Sequence, residues 1–424
     1  MRLTIYLGFL AIANVFLAFF CQWFVVTRIG VGIETDALFA GLLIPSIFLS
    51  IVSGSLTHVL VPLLSERSSR ERVADAWNYV QIIGVIFVLF ALLLGWGAEG
   101  IIGVLFPGFD ESSRLITVRL ARIQLVGMVF VSLASVLWAV NHANKKFLFV
   151  EVVAVISNVV SVVFLVVGVG YIGVDAAAWA FAIKPVTQLV FLLPSIGRFS
   201  PLNLSSGVVR EGWRRVRPLL LGAGYFKTDQ LLDKFLASLT ANGNLTLLHL
   251  SQQIFMAGHT VLQRAVVGPM IPRLARLASE GRWRQFRKVY TDRLLLIGWV
   301  TVLFSVFVYI FGHACLELMF LVGVFDSESV EMMSNIMIAL LGVWIGGAFG
   351  QVLSSSFYAY GETKLPTKIG VVGFTLGMLI KVVGFYLGGI LGLACGASLY
   401  YMMNFILLYY FLSKAIKDRM NVCF

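Results

Sequence analysis

Apolar runs of bilayer length recur from one end of this 424-residue chain to the other. A helix needs about 20 apolar residues to cross the hydrocarbon of a membrane. About twelve such runs are present, at 3–29, 36–64, 78–105, 115–140, 147–169, 172–197, 216–240, 245–272, 293–315, 332–358, 367–389 and 391–413. Inside lipid no water can satisfy an open N–H or C=O, so each run must close its own hydrogen bonds and is predicted to be a helix. Only 12% of residues are charged and 59% are hydrophobic, outside the range of soluble domains. The first run is too long for a cleavable signal peptide, and no small-residue cleavage site precedes the second. The predicted class is an all-α polytopic membrane protein.

A net charge of +11 would suit a nucleic-acid ligand, but the placement of the charges points elsewhere. Most of the 32 basic residues fall on alternate loops, among them Arg67, Arg70, Arg72, Lys145, Lys146, Arg210, Arg214, Arg215 and the cluster Arg273 to Arg293. The opposite loops carry acids, including Glu34, Asp110, Glu111, Asp175, Asp326 and Glu328. That asymmetry is the positive-inside rule. It places both termini in the cytoplasm and excludes nucleic acid as the expected partner.

The second half repeats the layout of the first. LFPGFDESS (Leu105 to Ser113) opens one helix of the first half, which closes at NHANKKF (Asn141 to Phe147). VGVFDSES (Val322 to Ser329) and FYAYGETKLP (Phe357 to Pro366) echo them in the second. Duplicated multi-helix halves typify secondary transporters, which rock one half against the other. The polar stretch 201–216, with Pro201, Asn203, Ser205, Ser206 and Gly207, reads as a linker between six-helix bundles at 1–200 and 217–424. An even helix number per bundle predicts parallel repeats around a central cleft. The segment GRWRQFRK (Gly281 to Lys288) alternates basic and aromatic residues and reads as an interfacial amphipathic segment.

Cys21, Cys315, Cys395 and Cys423 are scattered, as are the five histidines. No metal spacing, phosphate-cradling loop or nucleophile motif is present, so neither an enzyme nor a cofactor is expected. Transport would then draw on membrane potential or an ion gradient. The candidate site residues are the charges at membrane depth, each costing roughly 2.5–3.5 kcal/mol on insertion scales. The seventh run is the richest, with Lys227, Asp229, Asp233 and Lys234. Lys227, Gln230 and Lys234 share one helical face, and no Lys–Asp pair there has helical pairing distance. These groups either line the cleft and meet a substrate phosphate or pair with another helix, for instance at Lys184 or Lys381. Arg264 either faces the cavity or snorkels to the headgroups. Arg28 stands near a helix end, with the same two readings. Asp36 is either a site residue or a cap on its own helix.

TDALFAGLLIPSIFLSIVSGSLTHVLVPLLSE (Thr35 to Glu66) resembles the second-helix signature of the MurJ (MviN) family of lipid-linked precursor flippases. LDKFLASLTANGNLTLLHLSQQI (Leu232 to Ile254) resembles that family's seventh-to-eighth helix hairpin, and VVGPMIPRLARLASEG and SSSFYAYGETKLPTKI are similar to its later landmarks. The resemblance implies the multidrug/oligosaccharidyl-lipid/polysaccharide exporter architecture in a bacterial cytoplasmic membrane. It also implies alternating-access transport of an undecaprenyl-pyrophosphate-linked sugar. At Asp36 and Thr246 the family is likewise polar. The chain departs from the family at its cavity arginines: Gln22 stands near the first-helix cluster with Arg28 retained, Leu49 and Ser50 replace a basic pair, and Gln252 and Gln253 replace an Asp-Arg pair. The family also has two further C-terminal helices that form a lipid-tail groove.

Three function classes follow as expectations: a flippase for a surface-polysaccharide unit or the peptidoglycan precursor, an exporter of soluble amphipathic compounds, or a non-transporting scaffold derived from a flippase. The expected partners are a lipid-linked glycan, membrane lipids and glycan-synthesis enzymes, with the chain itself a monomer.

Overall fold

The computed structural model describes residues 2–203, 227–320 and 325–422, with the single positions 207, 211, 214 and 225. Most of the expected linker 201–216 lies outside the described residues. Among those residues the structure is helical and contains no strand, and eight helices are long and apolar enough to cross a membrane. Two compact units divide between Leu245 and Thr246. The first holds α1 (Arg2–Ile29), α2 (Ile33–Gly41), α3 (Leu43–Ser65), α4 (Ser69–Trp96), α5 (Ala98–Leu105), α6 (Glu111–Ala143), α7 (Phe147–Ile172), α8 (Val174–Leu192) and α9 (227–237). The second holds α10 (Asn244–Leu262), α11 (Gly268–Ser279), α12 (Trp283–Phe320), α13 (Ser327–Ala339), α14 (Leu341–Ala359) and α15 (Lys364–Val422).

Several apolar runs are broken helices, each with a local cause. The run 36–64 breaks at Leu42 into α2 and α3. Pro45 has no N–H to offer the Gly41 carbonyl, so the ladder cannot continue through it. The run 332–358 breaks at Leu340, and here the agent is a side chain on α15. The Ser398 hydroxyl accepts from the Val343 N–H at 3.3 Å and donates to the Ala339 carbonyl. It thus sits between a donor and an acceptor that an unbroken helix would join directly, which bends the helix. Gly342 permits this approach, since a Cβ there would lie 2.6 Å from the Ser398 Cβ.

α15 is 59 residues long because two helices run together through Gly388 and Gly389, the latter at φ 57°. Its arms fold back on each other with Gly384 against Gly392 and Gly396 against the Lys381 backbone. Small residues at four-residue spacing let membrane helices approach backbone to backbone. The runs 367–389 and 391–413 correspond to these two arms. In the first unit α8 achieves the same closeness with alanine: a Cβ on Gly127 of α6 would lie 3.0 Å from the Ala182 Cα.

The repeated sequence landmarks have a shared structural basis. Asp110 caps α6 by accepting the Ser113 N–H, and Asp326 caps α13 by accepting the Ser329 N–H, both at 3.0 Å. A phenylalanine precedes each cap, and both Phe109 and Phe325 are buried. The later landmarks both end a helix with a left-handed residue, Lys145 at φ 60° after α6 and Gly361 at φ 82° after α14. The next N–H then reaches five residues back, Lys146 to the Asn141 carbonyl and Glu362 to the Phe357 carbonyl, closing the same terminal loop. The GRWRQFRK segment is not a separate surface element. From Trp283 onward it forms the first turns of the 38-residue α12, with Phe286 buried and Arg284, Arg287 and Lys288 exposed.

Candidate functional site

α9 carries the charges that the sequence places deepest. Lys227, Asp229 and Lys234 are half-buried, Gln230 is exposed, and Asp233 is buried. The Lys227–Gln230–Lys234 face is therefore the more open one, and the Asp233 side packs inward. The Lys234 ammonium donates to the Phe39 carbonyl oxygen. Phe39 lies in the last turn of α2, at the negative end of the helix dipole. The neighbouring Leu38 carbonyl accepts the Gln124 amide of α6 at 3.1 Å. Two long side chains from separate helices thus meet the broken end of α2. Nothing in the sequence singled out Gln124. The nearest signal was Pro45, which marks the break that ends α2.

Asp36, one turn earlier on α2, is buried, and its carboxylate accepts the Gly243 N–H at 2.6 Å. It therefore holds the turn that precedes α10, and the start of its own helix is held by Thr35, whose hydroxyl accepts the Gly32 N–H at 3.1 Å. Gly243 stands at φ 93° with its α-carbon close against Val31, a position that suits glycine. Across the same turn, Gly108 abuts the Ser238 backbone. Arg28 is exposed at the end of α1, with its guanidinium carbon 5.6 Å from the centre of the Phe24 ring. Five candidates therefore belong to the first unit: Arg28, Asp36, Lys227, Asp233 and Lys234. The structure brings Asp36 and Lys234 to consecutive turns of one helix, α2.

Thr246 and Arg264 belong to the second unit. Thr246 is fully buried near the start of α10. Arg264 is exposed within a π-helical turn, Gln263–Val267, that joins α10 to α11. Such single widened turns often occur at functional sites. Among the described residues no group of three or more His, Cys, Asp or Glu side chains could hold a metal ion.

Residues 25–421 match the family profile described as "Lipid II flippase MurJ". The chain belongs to the MurJ family. MurJ relatives include the "Probable lipid II flippase MurJ" of Buchnera aphidicola subsp. Acyrthosiphon pisum, 23% identical over 394 residues that span 89% of this chain and 77% of the relative. The "Lipid II flippase MurJ" of Burkholderia cenocepacia is 22% identical over 415 residues, 91% of this chain and 78% of its own. Among solved structures, a lipid II flippase MurJ in an inward closed conformation superposes with a TM-score of 0.83 at 17% identity, covering 96% of this chain and 87% of that one. An inward-facing MATE-family multidrug transporter of the MOP superfamily gives 0.79 at 13% identity, covering 96% and 95%. The MurJ assignment makes the chain a transporter rather than a catalytic enzyme, a multi-pass protein of the bacterial inner membrane.

Proposed function

We propose that this MurJ-family chain moves an undecaprenyl-pyrophosphate-linked oligosaccharide from the cytoplasmic to the outer leaflet by alternating access. The substrate would be a surface-polysaccharide unit or the peptidoglycan precursor. The observation that carries the reading is the half-open, lysine-bearing face of α9, with Lys227 half-buried beside the exposed Gln230, in a run that the sequence predicts to cross the membrane. A pyrophosphate needs such cations where water is scarce, because an unpaired charge is costly there. Lys234 keeps a fixed position through the α2 carbonyl, while Lys227 is the cation proposed to bind substrate. Membrane potential would supply about 2.3 kcal/mol for each elementary charge moved through 100 mV. Export of soluble amphipathic compounds is the second reading, supported by the likeness to the MATE fold. Cationic drugs would prefer an acidic cavity, and the lysines of α9 oppose that.

The test is rescue of cells depleted of their own peptidoglycan-precursor flippase, with Lys227→Ala as the paired control. Rescue by the parent chain and its loss in the variant are the expected outcomes for the precursor. A chain present in the membrane that fails to rescue shifts the substrate to another lipid-linked glycan. Undiminished rescue by Lys227→Ala removes Lys227 from the site.

A further inference from the structure

α8 carries one lysine, Lys184, ten residues after Val174 at its start and eight before Leu192 at its end. At 1.5 Å per residue, its α-carbon stands about 15 Å from one end of the helix and about 12 Å from the other. An extended lysine side chain spans only about half of the shorter distance, so the ammonium cannot snorkel to the headgroups. Helical geometry turns Lys184 about 140° from Trp179, which is exposed on the apolar outer stripe that Val190 continues. Phe191 is exposed on the Lys184 side, but about 10 Å farther along the axis. Lys184 itself is half-buried, Ala177 and Ala180 on its flanks are buried, and Gln188 follows it on the same face.

Other cations in the helices of the first unit are held. Lys234 donates to the Phe39 carbonyl, Arg119 pairs with Asp175 at 3.2 Å, and Arg122 donates to the Gly95 carbonyl at 3.0 Å. Among the described residues Lys184 makes no hydrogen bond and no ion pair. The ionisable group that acts on it is the buried Cys21 thiol of α1. A thiol of ordinary acidity keeps its proton at neutral pH and offers the ammonium no opposite charge. A cation at this depth faces a water-filled path or a ligand, because facing lipid is costly.

We propose that Lys184 is a way-station for the pyrophosphate of a polyprenyl-linked substrate, met as the headgroup crosses the middle of the membrane. The identity of this ligand rests on the transport reading above. A resident phospholipid keeps its phosphate in the headgroup layer, beyond the reach of a lysine at this depth. The phosphate that arrives at Lys184 is one in transit between leaflets. An ammonium suits that task, since it is a point charge with three rotatable donors and imposes no fixed bidentate geometry. The chain also lacks cavity arginines of its family, with Leu49, Ser50 and Gln253 among the replacements. Cations elsewhere must then balance a pyrophosphate cargo, and Lys184 supplies one on α8 in addition to Lys227 on α9.

The first measurement asks whether water and the ligand reach this position. In the full chain with Cys21, Cys315, Cys395 and Cys423 replaced by serine, Lys184→Cys should react with a charged methanethiosulfonate, and Trp179→Cys should not. Geranylgeranyl pyrophosphate should slow the reaction at 184, whereas geranylgeraniol should leave it unchanged. A thiol at 184 that labels only after denaturation overturns the proposal, as does labelling that the pyrophosphate lipid does not slow. The second measurement is the affinity of farnesyl pyrophosphate for the chain with its native cysteines. Lys184→Gln should weaken it about ten- to a hundredfold, as expected for a lost hydrogen bond between charged groups. Lys184→Arg should keep most of the affinity, since it keeps the charge, and a role in packing alone would not follow charge in this way. Equal affinity in the parent and Lys184→Gln, or no binding by the parent, overturns the proposal. A parent that binds the probe through Lys184 yet moves no fluorescent polyprenyl-pyrophosphate glycan between liposome leaflets defeats the transport reading alone.

Discussion

The carboxylate of Asp36 accepts the Gly243 N–H and so locks the α9–α10 turn onto α2. Removing it in Asp36→Ala leaves that donor without its acceptor in a buried setting, at a cost of about 1–3 kcal/mol. Asp36→Asn keeps an acceptor oxygen and should restore most of the loss. Thermal unfolding of the purified pair in detergent reads the difference. A second pair of residues tests the duplicated helix end. Lys145 occupies a left-handed conformation that glycine adopts freely, so Lys145→Gly should stabilise the chain by up to about 1 kcal/mol. Gly361→Ala, at the equivalent place after α14, should destabilise it by a similar amount of about 1 kcal/mol. Opposite signs in the two melting shifts are the expected result.

At the scale of elements, the caps of α6 and α13 couple helix stability to acidity. The Ser113 and Ser112 side chains beside Asp110, and Ser329 beside Asp326, hold both carboxyls below the ordinary aspartate value of 3.8. The ionised form is thus favoured in the folded helix, and this stability is fully present above that value. It is lost as pH falls through the lower folded values. Asp326→Asn should flatten the acid limb of the unfolding profile while leaving neutral stability close to unchanged, because asparagine caps about as well. The breaks in the helices differ in how far the sequence discloses them. Pro45 announces the one at Leu42, since a missing N–H is written in the residue itself. The break at Leu340 is made by Ser398, whose hydroxyl arrives from another helix and leaves no local mark. Likewise Lys234 has no carboxylate at helical spacing, which told of a partner elsewhere. That partner is a backbone carbonyl, for which no side chain could be searched.

For the molecule as a whole, apolar run length and loop charge made the polytopic helical class legible, because lipid leaves the backbone no alternative. The ordered motifs from Thr35 to Ile369 made the family legible as well. The grouping of helices was harder to read. A linker at 201–216 suggests that the first unit ends with α8, yet its compact packing runs on to Leu245. The reason lies in the contacts of Lys234, Gly108 and Gly243 already described. Expressed as fragments, residues 1–245 should resist limited proteolysis in the membrane, and residues 1–200 should be cleaved readily. Equal resistance of the two would show that α9 adds nothing to the first unit.

The stitching of α9 to α2 also bears on how the chain is made. A ribosome delivers helices to the bilayer in order, and α2 emerges roughly two hundred residues before the segment that completes it. Until then the Phe39 carbonyl and the Asp36 carboxylate face the membrane or the insertion machinery without their final donors. The early helices must therefore be sheltered, or wait loosely associated, while most of the first unit is still being synthesised. Slowing translation before the α9 codons should prolong that exposed interval, and speeding it should shorten the time a nascent chain is open to degradation.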